Sequence, residues 1–238
     1  MFDDVSVVVL AGGRGTRIQA IHPETPKPMI PVLGRPFIHW LTAVLVREGL
    51  SHFVYSTGYR GEQIEDWASD GSFAGATRLT RRETTPLGTG GGLLNCIDLC
   101  RKWALVVNGD GLCLAGLGQL LALRDRPGLD GGLIGVHAED TSRYGSLDID
   151  SDGTLRAFRE KEPGRGYVNG GVYLFRTECL AELSRPSPVS LENNIIPGLL
   201  MDGARLVAVT VDEAPFIDIG TPETLAQAEA FIRAHCLS

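Results

Sequence analysis

A glycine-rich segment with cationic side chains follows the first hydrophobic run of the chain. The β-branched run at 5–10 leads into Ala11-Gly12-Gly13-Arg14-Gly15-Thr16-Arg17, and Pro26-Lys27-Pro28 follows downstream. Glycines directly after a buried strand let backbone N–H groups approach a phosphate chain closely, and Arg17 and Lys27 can neutralise its charge. The pattern predicts a site for a phosphorylated ligand, and the alternative is an ordinary glycine-rich turn.

Lysine is rare in this sequence. The chain has 22 basic residues, of which only Lys27, Lys102 and Lys161 are lysines. A chain biased toward arginine keeps lysine where a compact ammonium group is needed, although coding bias explains the same count.

Two common phosphate-binding patterns are excluded. A dinucleotide fingerprint that starts at Gly13 would require glycine at the position of Ile18, and no Gly-Lys pair of a P-loop occurs in the chain. Hydride transfer and P-loop phosphoryl transfer therefore lose support. The sequence also lacks the H-E-x-x-H and G-x-S-x-G patterns of zinc hydrolases and serine hydrolases.

The elements that position these residues alternate between strands and helices. The spacing of apolar residues predicts strands at 5–10, 52–57, 77–83 and 104–107 and helices at 37–48, 62–68, 89–100 and 117–124. Such alternation predicts an α/β fold, a Rossmann-like, mostly parallel sheet flanked by helices. Ligands gather at the carboxyl ends of such strands.

The second half of the chain has a different pattern. Short strands are predicted at 133–136, 146–149, 154–159, 168–175 and 206–209, and a last helix at 222–234, with Thr221 as its N-cap. These strands predict a small antiparallel part added to the parallel sheet. We expect a single domain over 1–238.

The charge balance limits the class of partner. A formal net charge of -7 without a long Lys/Arg run argues against binding to nucleic acid or to an anionic membrane. The start is acidic, and the apolar run after it is too short for a secretory signal or a membrane span. We therefore expect a cytoplasmic protein, and no appended β-helix at its C-terminal end.

Several segments together resemble one enzyme family. The segment L-A-G-G-R-G-T-R followed by P-K-P-M resembles the signature of the nucleoside-diphosphate-sugar pyrophosphorylases, or sugar-1-phosphate nucleotidyltransferases. The resemblance continues in order through Pro86-Leu87-Gly88-Thr89-Gly90-Gly91, similar to the base-recognition loop, and Val107-Asn108-Gly109-Asp110, similar to the metal-binding strand end. It implies transfer of a nucleotidyl group from a nucleoside triphosphate to a sugar 1-phosphate, with pyrophosphate released.

The resemblance implies a role for each matching residue. Arg17 and Lys27, with Asp110 and Asp218, would be catalytic, and the two aspartates would bind Mg²⁺, which prefers hard carboxylate oxygens. Either aspartate alone fits a helix cap equally well. The nucleotide would be bound by Leu10, Ala11, Gly12, Gly13, Arg17, Lys27, Glu83, Pro86, Gly88, Thr89, Asn108 and Gly109.

The sugar phosphate would be bound mainly within 131–238, and the nucleotide mainly within 1–130. The resemblance assigns the acceptor side to Tyr144, Gly145, Glu160, Lys161, Asn169 and Gly170, with Lys161 on the acceptor phosphate. Two of the three lysines thus fall on positions that match the family.

Over the whole chain, with Ser142-Arg143-Tyr144-Gly145, 168–171 and 216–220 as supporting segments, the sequence resembles the short D-glycero-α-D-manno-heptose 1-phosphate guanylyltransferases. The carboxylate of Glu83 suits guanine, which offers donor groups on one edge. Mannose 1-phosphate guanylylation and uridylyl or thymidylyl transfer to a hexose 1-phosphate stay open as alternatives. The family also makes a homodimer the expected assembly.

One position departs from the family pattern. The family usually places a hydroxyl residue after Asn-Gly-Asp, and this chain has Gly111 there. The metal side of the site is therefore expected to differ in shape. A catalytically weak paralogue that binds nucleotide sugars as a regulatory subunit stays open as the alternative from another functional class.

Overall fold

The computed structural model describes residues 2–142, 146–159, 164–183 and 188–237. Thirteen strands lie within the described residues: β1 Val5–Ala11, β2 Pro31–Val32, β3 Arg35–Pro36, β4 His52–Thr57, β5 Thr77–Arg82, β6 Trp103–Asn108, β7 Gly111–Cys113, β8 Gly131–Ala138, β9 Ser146–Ile149, β10 Leu155–Arg159, β11 Gly166–Arg176, β12 Leu206–Val211 and β13 Phe216–Asp218.

The same part of the chain contains eight α-helices: α1 Thr16–Gln19, α2 Phe37–Arg47, α3 Gly61–Ala68, α4 Gly88–Asn95, α5 Leu117–Ala122, α6 Thr177–Ala181, α7 Ile196–Met201 and α8 Pro222–His235. A π-helical turn, Leu191–Ile195, leads directly into α7. Short 3₁₀ turns occur at Lys27–Met29, Ile97–Leu99 and Leu123–Asp125.

The central sheet is mostly parallel in its first half. Its strand order is β10-β9-β11-β6-β1-β4-β5, and β8 pairs with both β11 and β12. β1 pairs in parallel with β4 and β6, and β4 pairs in parallel with β5. β11 runs antiparallel to β6 and extends the same sheet. Two-stranded sheets are formed by β13 with β7 and by β2 with β3.

Both faces of the sheet are buried, which explains the continuous apolar character of β1. Val7 and Val9 pack into one core cluster with α2, α3 and α8, whereas Val8 packs into a second cluster with α4 and α7. Side chains of a strand alternate between the two faces, so a strand covered on both sides needs apolar residues throughout.

The predicted fold class is confirmed, and several elements have the predicted bounds. The strands 52–57 and 146–149 are found as predicted. The predicted helix 89–100 instead ends at Asn95 and gives way to a 3₁₀ turn. The predicted strand 168–175 is longer, Gly166–Arg176, because its ends pair with Ala138 and with Trp103. The helical segment 191–201 was not predicted.

The antiparallel part does not form a separate layer. Its longest strand, β11, hydrogen-bonds directly to β6 in the central sheet. The assignment of 1–130 to the nucleotide and of 131–238 to the sugar phosphate stays a prediction. None of the described helices is long and apolar enough to span a membrane.

Removal of the N-cap of α8 is expected to destabilise the fold. The Thr221 hydroxyl accepts a hydrogen bond from the Thr224 backbone N–H, and the Thr224 hydroxyl accepts one from the Thr221 backbone N–H, which completes a capping box. We expect Thr221→Ala to lower the free energy of unfolding by about 1 kcal/mol in urea denaturation. Thr221→Ser keeps the hydroxyl and is expected to unfold like the wild-type protein; equal losses in both variants would contradict the capping role.

Candidate functional site

The glycine-rich segment and the Asn-Gly-Asp segment leave the sheet side by side. Leu10 lies opposite Asn108 in the parallel pair of β1 and β6. The Gly109 backbone N–H donates to the Leu10 carbonyl at 2.9 Å, which joins the two strand ends. Two neighbouring parallel strands therefore deliver both motifs to the same edge of the sheet, where ligands of α/β proteins bind.

A first cavity of about 610 Å³ opens at this edge. It is lined by residues 10–15 and 83–86 and by Lys27, Pro28, Gly58, Tyr59, Gly88, Thr89, Asn108 and Asp110. Of the residues predicted to bind the nucleotide, all except Arg17 and Gly109 line this cavity. The local motifs thus converge on one space of the size of a small-molecule site.

Arg17 lies outside the first cavity, and Arg14 lines it. Arg17 is exposed on the short helix α1. The Arg14 guanidinium lies 5.8 Å from the centroid of the Tyr59 ring, so a cation–π contact directs it along the cavity wall. A phosphate-binding role for Arg17 stays a prediction. Arg14, which was not predicted as a site residue, lines the cavity.

Gly58 and Tyr59 also line the first cavity and were not predicted to do so. They directly follow β4, and the Tyr59 backbone N–H donates to the Gly12 carbonyl at 3.2 Å. The sequence signal for these two residues was their position directly after a predicted strand, which lies next to β1. They belong to no motif that we recognised.

The Glu83 carboxylate holds the predicted base-recognition loop. One of its oxygens accepts a hydrogen bond from the Ser56 hydroxyl at 3.2 Å, and the other accepts one from the Leu87 backbone N–H at 3.1 Å. A Cβ at Gly12 would lie 2.6 Å from this carboxylate, so a side chain there would displace Glu83 from its present position. Each carboxylate oxygen can accept two hydrogen bonds, which leaves capacity for a base in the cavity.

Asp110 and Asp218 lie on neighbouring strand ends. Asp218 pairs with Gly111 in the ribbon of β7 and β13, and the Ile219 backbone N–H donates to the Asp110 carbonyl at 2.9 Å. One carboxylate oxygen of Asp218 accepts a hydrogen bond from the Gly220 N–H at 2.8 Å. The backbones of two residues far apart in sequence are therefore adjacent. Their role as a metal-binding pair stays a prediction.

Lys27 completes this group. Its ammonium donates to a carboxylate oxygen of Asp110, and its side chain is only 12% exposed. A Cβ at Gly220 would lie 3.1 Å from the Lys27 Nζ atom, which places the ammonium beside the turn that follows Asp218. The group has one cation and two carboxylates at the edge of the first cavity.

A second cavity of about 450 Å³ meets the first at Asn108 and Asp110, which line both. It is lined by residues 107–108, 110–114, 116–119 and 169–172 and by Leu41, Val44, Leu45, Glu48, Phe216 and Asp218. Its polar wall includes Asn169 and Gly170, which were predicted to bind the sugar phosphate.

The polar wall of the second cavity depends on an unusual backbone conformation at Gly171. This residue has φ 71°, and a Cβ there would lie 2.8 Å from the Asn108 side-chain nitrogen. Glycine adopts this conformation without a steric penalty and leaves room for the Asn108 amide. The other predicted acceptor residues, Tyr144, Gly145, Glu160 and Lys161, lie outside the described residues.

Gly111 lies in regular pairing with Asp218. A Cβ at this position would lie 3.6 Å from the Ile217 carbonyl oxygen, an ordinary contact distance. A side chain would therefore fit here. We see no distortion of the ribbon at this departure from the family pattern.

Two cavities that meet at Asn108 and Asp110, beside Lys27 and at the carboxyl ends of parallel strands, form the candidate site. The chain belongs to the nucleotidyl transferase family, whose model matches residues 6–235. This confirms the family predicted from the four motifs.

Similar proteins include sugar-1-phosphate guanylyltransferases. The chain is 34% identical over 229 residues to a mannose-1-phosphate guanylyltransferase of Mycobacterium tuberculosis, covering 95% of this chain and 64% of that protein's length. It is 29% identical to a D-glycero-α-D-manno-heptose 1-phosphate guanylyltransferase of Campylobacter jejuni, covering 92% of this chain and 96% of that protein.

Among solved structures, the fold resembles HddC from Yersinia pseudotuberculosis in complex with GMP-PN. The TM-score is 0.80 at 30% identity, and the match covers 94% of this chain and 98% of that chain. The fold of most of the chain therefore matches that of HddC.

Proposed function

We propose that this chain transfers GMP from GTP to a sugar 1-phosphate and that D-glycero-α-D-manno-heptose 1-phosphate is the preferred acceptor. The observation that carries the proposal is the meeting of the two cavities at Asn108 and Asp110, next to Lys27 and Asp218. A nucleotide in the first cavity and a sugar phosphate in the second would bring their phosphates together at this point.

In the proposed reaction, an oxygen of the sugar 1-phosphate attacks the α-phosphorus of GTP. A new bond forms between this oxygen and the phosphorus, while the bond to the bridging oxygen breaks and pyrophosphate leaves. No side chain forms a bond with substrate, so the protein acts by positioning and by neutralising charge. The Lys27 ammonium is the described cation best placed to stabilise the negative charge on the phosphate oxygens.

The carboxylate pair fits a divalent metal ion. Family members generally depend on such an ion. Mg²⁺ is usually held by one or two carboxylates together with substrate phosphates, and Asp110 and Asp218 supply this donor set. We propose that these two residues bind Mg²⁺, which would polarise the phosphate oxygens of the nucleotide.

The choice of acceptor rests on similarity. The heptose 1-phosphate guanylyltransferase of Campylobacter jejuni matches this chain over 96% of its own length, and HddC does so over 98%. Mannose 1-phosphate is the second candidate, because the Mycobacterium tuberculosis mannose-1-phosphate guanylyltransferase has the higher identity, 34%. The expected homodimer stays a prediction.

The direct test is pyrophosphate release in the presence of Mg²⁺. GTP, ATP, CTP, UTP and dTTP are each combined with the 1-phosphates of heptose, mannose and glucose. We expect strong release only with GTP and the heptose. Release with GTP and mannose 1-phosphate would correct the acceptor, and release with another nucleotide would correct the base. A folded protein that binds GTP but releases no pyrophosphate with any pair would instead be the regulatory paralogue.

A further inference from the structure

A buried chain of polar side chains connects the two cavities. Asn169 lines the second cavity, and Thr89 lines the first. Between them lie Tyr173, which is fully buried, and Glu192, which is partly buried. None of the sequence motifs includes Tyr173 or Glu192 as a site residue.

Each link of this chain is a hydrogen bond. The Asn169 side-chain nitrogen donates to the Tyr173 hydroxyl at 2.6 Å, and that hydroxyl donates to one Glu192 carboxylate oxygen at 2.8 Å. The other carboxylate oxygen accepts from the hydroxyls of Thr89 at 3.1 Å and Ser190 at 2.9 Å.

The direction of these hydrogen bonds is fixed from the Glu192 end. A carboxylate only accepts hydrogen bonds, so the Tyr173 hydroxyl must be the donor in its hydrogen bond with Glu192. Burial, and then the charge of Glu192, raise the pKa of Tyr173 well above its ordinary value, so the hydroxyl keeps this proton. Only lone pairs of the Tyr173 oxygen then remain for Asn169, which must present its NH₂ group.

The direction is also fixed from the Asn169 end. The Gly171 backbone N–H donates to the Asn169 side-chain oxygen at 3.0 Å. A flipped amide would place its NH₂ group against this N–H, so that two donors faced each other. With the observed orientation, the amide keeps one N–H and one lone pair for a ligand in the second cavity.

We propose that Glu192 and Tyr173 are positioning residues that fix the orientation of the Asn169 amide for hydrogen bonding to the acceptor sugar. The proposal rests on the proposed function, because it takes the second cavity as the acceptor site. Neither residue lines either cavity, so both act through Asn169 and not by contact with substrate.

The test compares the affinities of GDP and GDP-D-glycero-α-D-manno-heptose, measured by isothermal titration calorimetry on the full chain. We expect Tyr173→Phe to raise the dissociation constant for the nucleotide sugar about tenfold, as the loss of one well-placed hydrogen bond does. The dissociation constant for GDP is expected to stay within about twofold, because GDP would lie in the first cavity, which Asn169 does not line.

Tyr55→Phe is the matched control. Tyr55 is equally buried in the central sheet, and its hydroxyl is hydrogen-bonded to Thr42 at 3.0 Å; neither residue lines a cavity. This variant loses a buried tyrosine hydroxyl, and its affinities for both ligands are expected to match those of the wild-type protein. Thermal melts of both variants verify folding.

Two variants of Glu192 separate the hydrogen bond from general packing. Glu192→Gln keeps an oxygen for Tyr173 and an amide for the two hydroxyls, so it is expected to stay within about threefold of wild-type affinity for the nucleotide sugar. Glu192→Leu is expected to match Tyr173→Phe. If the position only filled space, leucine, which is similar in size, would keep the affinity as glutamine does.

Two results would overturn the proposal. One is a ratio of nucleotide-sugar affinity to GDP affinity that Tyr173→Phe leaves unchanged, whether both affinities stay the same or fall together. The other is a wild-type protein that binds the nucleotide sugar no more tightly than GDP. These binding measurements do not require turnover. Absence of pyrophosphate release from the wild-type protein would overturn the proposed function, while the affinity ratios would still decide the role of Tyr173 and Glu192.

Discussion

Asp218→Asn is expected to lower kcat for pyrophosphate release by at least about a hundredfold, since it removes one of the two charges proposed to hold the metal ion. The asparagine oxygen can still accept the hydrogen bond that Asp218 receives from the Gly220 N–H. The ribbon of β7 and β13 should therefore remain folded. Asp218→Ala is expected to lose activity equally and to be less stable, because that N–H loses its acceptor.

Asp202→Asn is the matched control for this prediction. Asp202 is exposed at the end of α7 and lies outside both cavities. Its replacement changes the net charge equally and should leave kcat unchanged. A titration of activity against Mg²⁺ concentration should show a raised requirement in Asp218→Asn only. Full activity of Asp218→Asn at low Mg²⁺ would show that the two-carboxylate site is wrong.

The strands of the fold were predicted well where their signal is local. β4 and β9 have the predicted bounds. A strand buried on both faces is apolar throughout, and a strand buried on one face alternates between apolar and polar residues, so both kinds leave a local pattern in the sequence. The segment 191–201 was missed because its helix begins with a π-helical turn and contains Pro197 near the start of α7. The place of β11 in the central sheet was missed because pairing between distant strands leaves no local pattern.

In the candidate site, too, residues in local motifs were predicted and residues placed by long-range packing were missed. Residues in the motifs line the first cavity because each motif directly follows a strand. Arg14 and Arg17 differ in their relation to the cavity although they are three residues apart, since the turn into α1 separates them. Tyr173 and Glu192 were not predicted as site residues, because their hydrogen bonds depend on how α4, β11 and the π-helical turn pack together.

Lys27→Met is expected to lower kcat by about a hundredfold to a thousandfold, as the loss of one fixed charge at a reacting phosphate does. Methionine is similar in length and removes the ammonium that donates to Asp110. Lys27→Arg is not expected to restore activity. The side chain is only 12% exposed and faces Asp110, so the space suits a compact ammonium better than a planar guanidinium.

Lys102→Met is the matched control for Lys27→Met. Lys102 is exposed and lies outside both cavities, so its replacement removes the same charge without reaching the substrates. Steady-state rates with GTP and the acceptor should be unchanged in this variant. The ammonium of Lys27 stands among two carboxylates, so its loss should also leave Asp110 free to bind Mg²⁺ without competition. A Lys27→Met protein with wild-type kcat would mean that the metal ion alone neutralises the phosphate charge.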